Sequence, residues 1–143
     1  MSQDLNLSTS SHALDEETAR AEIYGLLSQL FYAAPSEELL GQLQVAVTEA
    51  PDAGAFLEES WRELVACARS LNQQQIADEF TRLFGGVGKP EVYVFGSHYL
   101  SGFLNEKPLV RLRDDLAALG LARSQDMSET EDHVSYVFEV MRF

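Results

Sequence analysis

Residues 15–31, DEETARAEIYGLLSQLF, carry the clearest helical pattern in this chain. Apolar side chains recur there three or four positions apart and therefore share one face of a helix: Ile23, Leu26, Leu27, Leu30 and Phe31. Asp15 is suited to cap the start of this helix, and Pro35 is suited to end it. The pattern predicts an amphipathic first helix that buries its apolar stripe against other helices.

Three more helices are predicted between this stretch and Gly85. Ser36 is a typical N-cap for the second, which should run to about Ala50, before Pro51, and carries Leu39, Leu40, Leu43 and Val47. The third should begin near Ala53 and bury Phe56 or Leu57, Trp61, Leu64, Val65 and Ala68. The fourth carries Ile76, Phe80, Leu83 and Phe84.

Two helices are predicted in the last third of the chain. Pro108 fits the first turn of one, and Gly120 fits its C-terminal cap, with inward-facing Leu109, Leu112, Leu116 and Leu119. The last should start between Glu129 and Asp132 and present Val134, Val137, Phe138, Val140 and Met141. Because Leu, Ala and Glu dominate the composition and Pro and Gly are sparse, we expect an all-α, single-domain helical bundle.

A long connection is expected between the fourth and fifth helices, from Gly85 to Gly102. It contains the aromatic residues Tyr93, Phe95 and Tyr99, so it should pack on the helices or line a site. Its glycine-rich start is not a phosphate-binding loop, because Leu83 stands where the first glycine is needed and Pro90 follows Lys89.

Composition and charge argue against a nucleic-acid-binding protein. The net charge of -13 repels nucleic-acid phosphates and anionic lipid and attracts cationic partners. An acidic surface is also common in proteins where it only maintains solubility. The single Cys67 cannot form an internal disulfide and is expected to be a small core residue. Residues 1–12 lack the features of a secretory signal, and no stretch is long enough to span a bilayer, so we expect a cytoplasmic protein without stable membrane insertion.

The adjacent residues Asp132 and His133 are the best candidates for chemistry. A carboxylate and an imidazole can relay protons or bind a metal. However, neighbours on a helix point about 100° apart, so they cannot face one metal ion together. The simpler interpretation is that Glu129, Glu131 and Asp132 are first-turn acids favourable to the helix dipole, while His133 begins the buried face.

The two ends of the chain lead to expectations about domain organisation. Residues 1–14 are polar and rich in serine, and we expect them to be disordered. The last helix reaches Phe143 without a cap, so further chain or another copy of this chain should cover its apolar face. We therefore expect a helical domain over 15–143 that is C-terminally incomplete. Domain swapping into a homodimer is one way in which its last helix could be covered.

Four blocks of this sequence, in this order, resemble the TorD/DmsD/NarJ family, with motifs most similar to the TorD/DmsD branch. They are Leu30-Phe31-Tyr32-Ala33-Ala34-Pro35, Phe80-Thr81-Arg82-Leu83-Phe84-Gly85-Gly86, Gly96-Ser97-His98-Tyr99 and Glu129-Thr130-Glu131-Asp132-His133. The resemblance covers Asp15 to Phe143. It implies an all-helical cytoplasmic chaperone that binds the twin-arginine signal peptide of a molybdenum-containing reductase or dehydrogenase and assists its maturation before export.

The resemblance also implies a peptide-binding groove. Its positions in this sequence are Tyr32, Phe80, Leu83, Phe84, Phe95, Gly96, Ser97, Tyr99, Glu129, Asp132 and His133. Phe80 replaces the family's more usual tryptophan, and Thr130 replaces its usual proline, which loosens the loop before the last helix. A peptide with paired arginines and an apolar stretch would use carboxylates beside aromatic side chains.

The predicted function is therefore non-enzymatic peptide binding, with no catalytic residues, metal or cofactor. A helical dimerisation or structural module is one alternative. A metal- or nucleotide-dependent enzyme built on Asp132, His133 and His98 is another, and the poor ligand spacing and the failed phosphate loop argue against it.

Overall fold

The computed structural model describes residues 4–48, 57–104 and 106–143, with side chains described from Glu16 onward. The helices within these ranges are α1 Asp4–Tyr32, α2 Glu37–Gln44, α3 Glu58–Ser70, α4 Gln73–Phe84, α5 Gly96–Ser101, α6 Lys107–Ala118 and α7 Val134–Met141. The described elements are all helices, and one isolated antiparallel bridge joins Phe95 and His133. The predicted all-α fold class is confirmed. None of the described helices has both the length and the apolar character needed to cross a membrane.

The chain divides into two compact units. The first comprises the chain up to Tyr32 together with Tyr93–Phe143, and the second comprises Ala33–Val92. Helix α1 begins at Asp4, before the expected N-cap Asp15. The domain boundary after residue 14 and domain swapping both stay predictions.

In the second unit, α2 packs on α3. Ser36 caps α2 as predicted, its Oγ accepting from the Leu39 amide at 3.1 Å. The two helices bury one apolar face each, and every fully buried leucine or valine side chain contributes about 1.5–3 kcal/mol. The buried residues are Leu40, Leu43, Val65 and Ala68. A hydrogen bond of 3.0 Å from Gln44 Nε2 to the Ala68 carbonyl also joins the helices.

The end of α2 differs from the prediction. The helix ends at Gln44 rather than near Ala50, and Val47 is 76% exposed instead of buried. Side chains of α3 bond the carbonyl groups that follow α2: Arg69 Nη2 donates to Ala46 and Trp61 Nε1 donates to Val47. These long-range hydrogen bonds favour an extended backbone over another helical turn. Ala53 and Phe56 lie outside the described residues.

Helices α3 and α4 show one wrong prediction and one unexpected cap. Cys67 is exposed, not a core residue, because Val65 and Ala68 share the buried face of α3 and Cys67 lies off that face. Asn72 starts α4 with a reciprocal capping box, in which Asn72 and Gln75 each bond the other's backbone amide.

In the first unit, α7 packs against α1. The Phe138 ring lies 6.0 Å from Tyr24 and 5.8 Å from Phe31, and aromatic pairs of this kind contribute about 0.5–1.5 kcal/mol each. A hydrogen bond of 2.9 Å from Ser28 Oγ to the Ser135 carbonyl fixes the register of the two helices.

Helices α5 and α6 form the rest of this unit's core. Pro108 lies in the first turn of α6, and Gly120 follows its end with a left-handed φ of 74°, both as predicted. Leu109 and Leu116 are buried, but Leu119 is exposed, because α6 ends at Ala118. The short α5 lies inside the segment predicted to be a long loop.

Candidate functional site

The candidate site is built where the starts of α5 and α7 meet. The Val134 amide donates to the Val94 carbonyl at 2.7 Å, and the Gly96 amide donates to the Asp132 carbonyl at 2.9 Å. These two hydrogen bonds form the bridge between Phe95 and His133. They place two of the sequence-predicted blocks, Gly96-Ser97 and Asp132-His133, side by side.

Asp132 anchors α5. Its side chain is 4% exposed, and its Oδ2 accepts from the Ser97 amide at 2.9 Å and from the Ser97 hydroxyl at 2.5 Å. Its Oδ1 accepts from the Thr130 hydroxyl at 2.6 Å. The carboxylate therefore satisfies an amide in the first turn of α5 from a distant part of the chain, where a negative charge also favours the helix dipole.

The ionisation of Asp132 follows from these contacts. Burial by itself raises the pKa of this carboxyl, but the hydrogen bonds from Ser97 and Thr130 outweigh burial and hold the pKa below the ordinary value. Asp132 is thus a buried carboxylate whose charge is stabilised by neutral donors.

His133 starts α7 and is enclosed by aromatic rings. Its Nδ1 accepts from the Ser135 amide at 3.2 Å, which caps the helix. Its ring centre lies 5.1 Å from Phe95, 5.5 Å from Tyr136 and 6.2 Å from Tyr32. Burial lowers the pKa of His133 despite the nearby charges of Glu129 and Asp132, so the imidazole is neutral at pH 7.

Other predicted site residues in this unit reach the surface. Tyr99 is 66% exposed on α5, and its hydroxyl donates to the Tyr93 carbonyl at 2.8 Å. Tyr32, at the end of α1, is also exposed, and Glu129 is partly exposed. The charge of Glu129 acts on the pKa of both His133 and Tyr136, so this carboxylate lies near the aromatic cluster.

The remaining predicted residues, Phe80, Leu83 and Phe84, belong to the second unit. All three are half-buried on α4, where the Phe80 and Phe84 rings lie 4.9 Å apart. The Leu83 carbonyl accepts from the Val92 amide at 2.8 Å. The structure thus brings together the predicted residues of the first unit, while the α4 residues form a cluster of their own.

The acidic residues before α7 do not have the role that the simpler interpretation assigned. Helix α7 starts at Val134 with no acidic residue in its first turn, so Glu129, Glu131 and Asp132 are not first-turn acids. They lie in the preceding loop, because the bridge to Phe95 holds that backbone out of helical geometry. His133 is buried as expected, but as the N-cap.

Sequence reasoning missed two structural roles in this loop. Thr130, noted as a departure from proline, supplies a hydrogen bond to Asp132. The residue types were a usable signal, since Thr and Asp side chains form local hydrogen bonds in turns. Glu131 is held by Arg113 on α6 and by Arg123, and no local pattern marks those partners.

The arrangement favours recognition over chemistry. Asp132 directs its carboxylate to Ser97 and Thr130, whereas His133 Nδ1 accepts from a backbone amide, so the two side chains do not form the proton relay considered as an alternative. Across the described ranges, no group of three His, Cys, Asp or Glu side chains is placed to hold a metal ion.

Comparison with known proteins places the chain in a family. The family model described as nitrate reductase delta subunit matches residues 50–143. The chain belongs to the nitrate reductase delta subunit family. The match extends across α3 to α7 and therefore includes the anchored loop of Asp132, which confirms the resemblance seen in the sequence blocks.

Curated relatives of this family member include the chaperone protein TorD of Vibrio cholerae serotype O1, from a Classical Ogawa strain and an El Tor Inaba strain. Each is 32% identical over 126 residues, which cover 81% of this chain and 57% of the relative. The chain thus spans little more than half the length of these relatives. No solved structure matches it significantly.

Proposed function

We propose that this chain acts as a non-enzymatic chaperone that binds the twin-arginine signal peptide of a molybdenum-containing reductase or dehydrogenase in the cytoplasm before export. The observation that carries the proposal is the anchored junction of α5 and α7, which fixes aromatic and acidic side chains next to one another. Family membership and the curated TorD relatives support the same class of function.

The chemistry of the junction matches that of a twin-arginine signal peptide. Such a peptide presents two guanidinium groups beside an apolar stretch. Guanidinium groups pair with carboxylates, and Glu129 offers one near the surface. Apolar residues gain free energy on burial against aromatic rings, which Tyr32 and Tyr99 expose. The net charge of -13 adds long-range attraction for a cationic segment.

The predicted site residues divide into two roles under this proposal. Asp132, Ser97 and His133 are buried, so they position the loop and the start of α5 rather than contact the peptide. Tyr32, Tyr99 and Glu129 contact the peptide. The half-buried residues of α4 belong to the second unit and stay predicted peptide contacts, while Phe95 and Gly96 form the backbone at the start of α5. The chaperone requires no cofactor for binding.

Calorimetric titration with a twin-arginine signal peptide from a molybdoenzyme tests this function. We expect saturable binding that weakens at least about tenfold when both arginines of the peptide are changed to alanine, since each charge-assisted hydrogen bond contributes about 1.5–3 kcal/mol. Tyr99→Ala should also weaken binding, because it removes an exposed aromatic contact.

Leu119→Ala is the matched control for that substitution, because Leu119 is 69% exposed at the end of α6 and lies outside the proposed site. It should leave the affinity unchanged. Equal binding of the arginine and alanine peptides, or no binding by a folded sample, would contradict the proposed function.

A further inference from the structure

The carboxylate of Glu131 binds two arginine side chains of its own chain, Arg113 and Arg123. Nε and Nη2 of Arg113 both lie 2.9 Å from Glu131 Oε2, and Nε of Arg123 lies 3.7 Å from Oε1. Two guanidinium groups of this chain therefore converge on one carboxylate. The hydrogen bond from Arg113 holds the pKa of Glu131 below its ordinary value, so the side chain is charged at neutral pH.

The two arginines are held to different degrees. Arg123 also donates through Nη1 to the carbonyl oxygens of Met127 and Glu129, which ties it into the loop. The side chain of Arg113 projects from α6, is 47% exposed and is held by Glu131. Because Arg113 is half-exposed, water can solvate its guanidinium group when it leaves the carboxylate.

Glu131 is also reachable from outside. Its side chain is 14% exposed and lines an open groove of about 190 Å³ within the first unit. Apolar side chains form much of the groove wall beside it, among them Leu116, Met127 and Val140. An arginine of a peptide could therefore pair with the Glu131 carboxylate while the apolar residues beside it pack on the apolar wall of the groove.

We propose that Glu131 receives an arginine of the signal peptide, and that Arg113 occupies the carboxylate until the peptide displaces it. This inference rests on the proposed function. The exchange replaces one guanidinium by another, so the carboxylate keeps its charge partner throughout. Asp132 cannot take this role in the folded chain, because it is buried and both its oxygens accept from Ser97 and Thr130.

If the peptide displaces Arg113, substitutions of Arg113 and of Glu131 should change peptide affinity in opposite directions. Arg113→Ala removes the internal competitor and should tighten peptide binding about two- to fivefold. Glu131→Gln removes the charge that the peptide arginine needs and should weaken binding about tenfold or more. In the Glu131→Gln background, the tightening caused by Arg113→Ala should disappear. Calorimetric titration with the twin-arginine peptide measures all four proteins.

Arg62 and Glu59 provide matched controls. They form an exposed ion pair at 2.9 Å on α3, in the second unit, and neither residue lines the groove. Arg62→Ala and Glu59→Gln change the net charge by the same amounts as the test variants, and neither should alter affinity by more than about twofold. Circular dichroism should show that all variants keep the helical content of the unmodified protein.

The outcomes separate this inference from the proposed function. If the unmodified chain prefers the arginine peptide but the Arg113 and Glu131 variants behave like their controls, the peptide arginines bind elsewhere and the inference is wrong. If Arg113→Ala weakens binding, Arg113 is a contact and not a competitor. If the unmodified chain does not bind the peptide, the proposed function and this inference both fail.

Discussion

Glu131 and Asp132 are neighbours in the chain, yet they lie in contrasting surroundings. Asp132 points inward, is 4% exposed and is held by the neutral donors of Ser97 and Thr130. Glu131 points to the surface of α6 and is held by cationic side chains. The buried carboxylate fixes the geometry of the site, whereas the role we propose for Glu131 is to exchange one arginine partner for another. Proximity in sequence therefore does not imply a shared role.

The largest expected effect concerns the buried member of this pair. Asp132→Ala should lower the free energy of unfolding by about 3–5 kcal/mol, because it leaves the buried donors of Ser97 and the half-buried hydroxyl of Thr130 without their acceptor. Glu131→Ala should cost less, about 1–2 kcal/mol, since both of its arginine partners remain partly exposed to water when the carboxylate is removed. Urea unfolding followed by circular dichroism measures both.

Ser97→Ala tests the same anchor from the other side. It removes one hydroxyl donor and keeps the Ser97 amide, so it should cost about 1.5–3 kcal/mol, less than Asp132→Ala. Similar losses for Asp132→Ala and Glu131→Ala would show that the two carboxylates do not differ in the way described.

A smaller loss of folding stability is expected when the pH is lowered. The folded state lowers the pKa of His133 from 6.5, so it favours the neutral imidazole, and stability should begin to fall as the pH drops below 6.5. The folded state also lowers the pKa of Asp132 from 3.8, so its contribution persists above that pH and is lost as the pH falls through the folded-state value.

His133→Asn separates the two steps. Asparagine retains an N-cap acceptor for α7 but does not titrate, so this variant should lose the decline that starts near pH 6.5 and keep the decline at lower pH. Thermal unfolding as a function of pH measures the effect. An unchanged profile would show that His133 does not couple protonation to folding.

The features predictable from the sequence are those that depend on local spacing. Helical periodicity predicts α1 and α6, while Ser36, Pro108 and Gly120 mark helix ends through chemistry that acts within a few residues. The four sequence blocks also indicate the family that the family model confirms.

The features that were missed depend on residues far apart in the chain. Helix α7 starts at Val134, and not between Glu129 and Asp132 as predicted, because the preceding backbone pairs with Phe95. Likewise, α2 ends early because Trp61 and Arg69 bond the carbonyls that follow it. Local patterns do not reveal such partners. The assignment of individual residues to peptide binding stays a prediction, and the buried state of Asp132 changes the role we propose for it.

The most direct test of this account compares Glu131→Gln with Asp132→Asn in two measurements on each protein, urea unfolding and titration with the twin-arginine peptide. We predict that Glu131→Gln retains stability within about 1 kcal/mol and loses affinity about tenfold, because it alters a recognition contact. Asp132→Asn should instead lose stability by about 2 kcal/mol or more, because it weakens a buried anchor. Full affinity in Glu131→Gln, together with lost affinity and retained stability in Asp132→Asn, would contradict the account and make Asp132 the arginine-binding carboxylate.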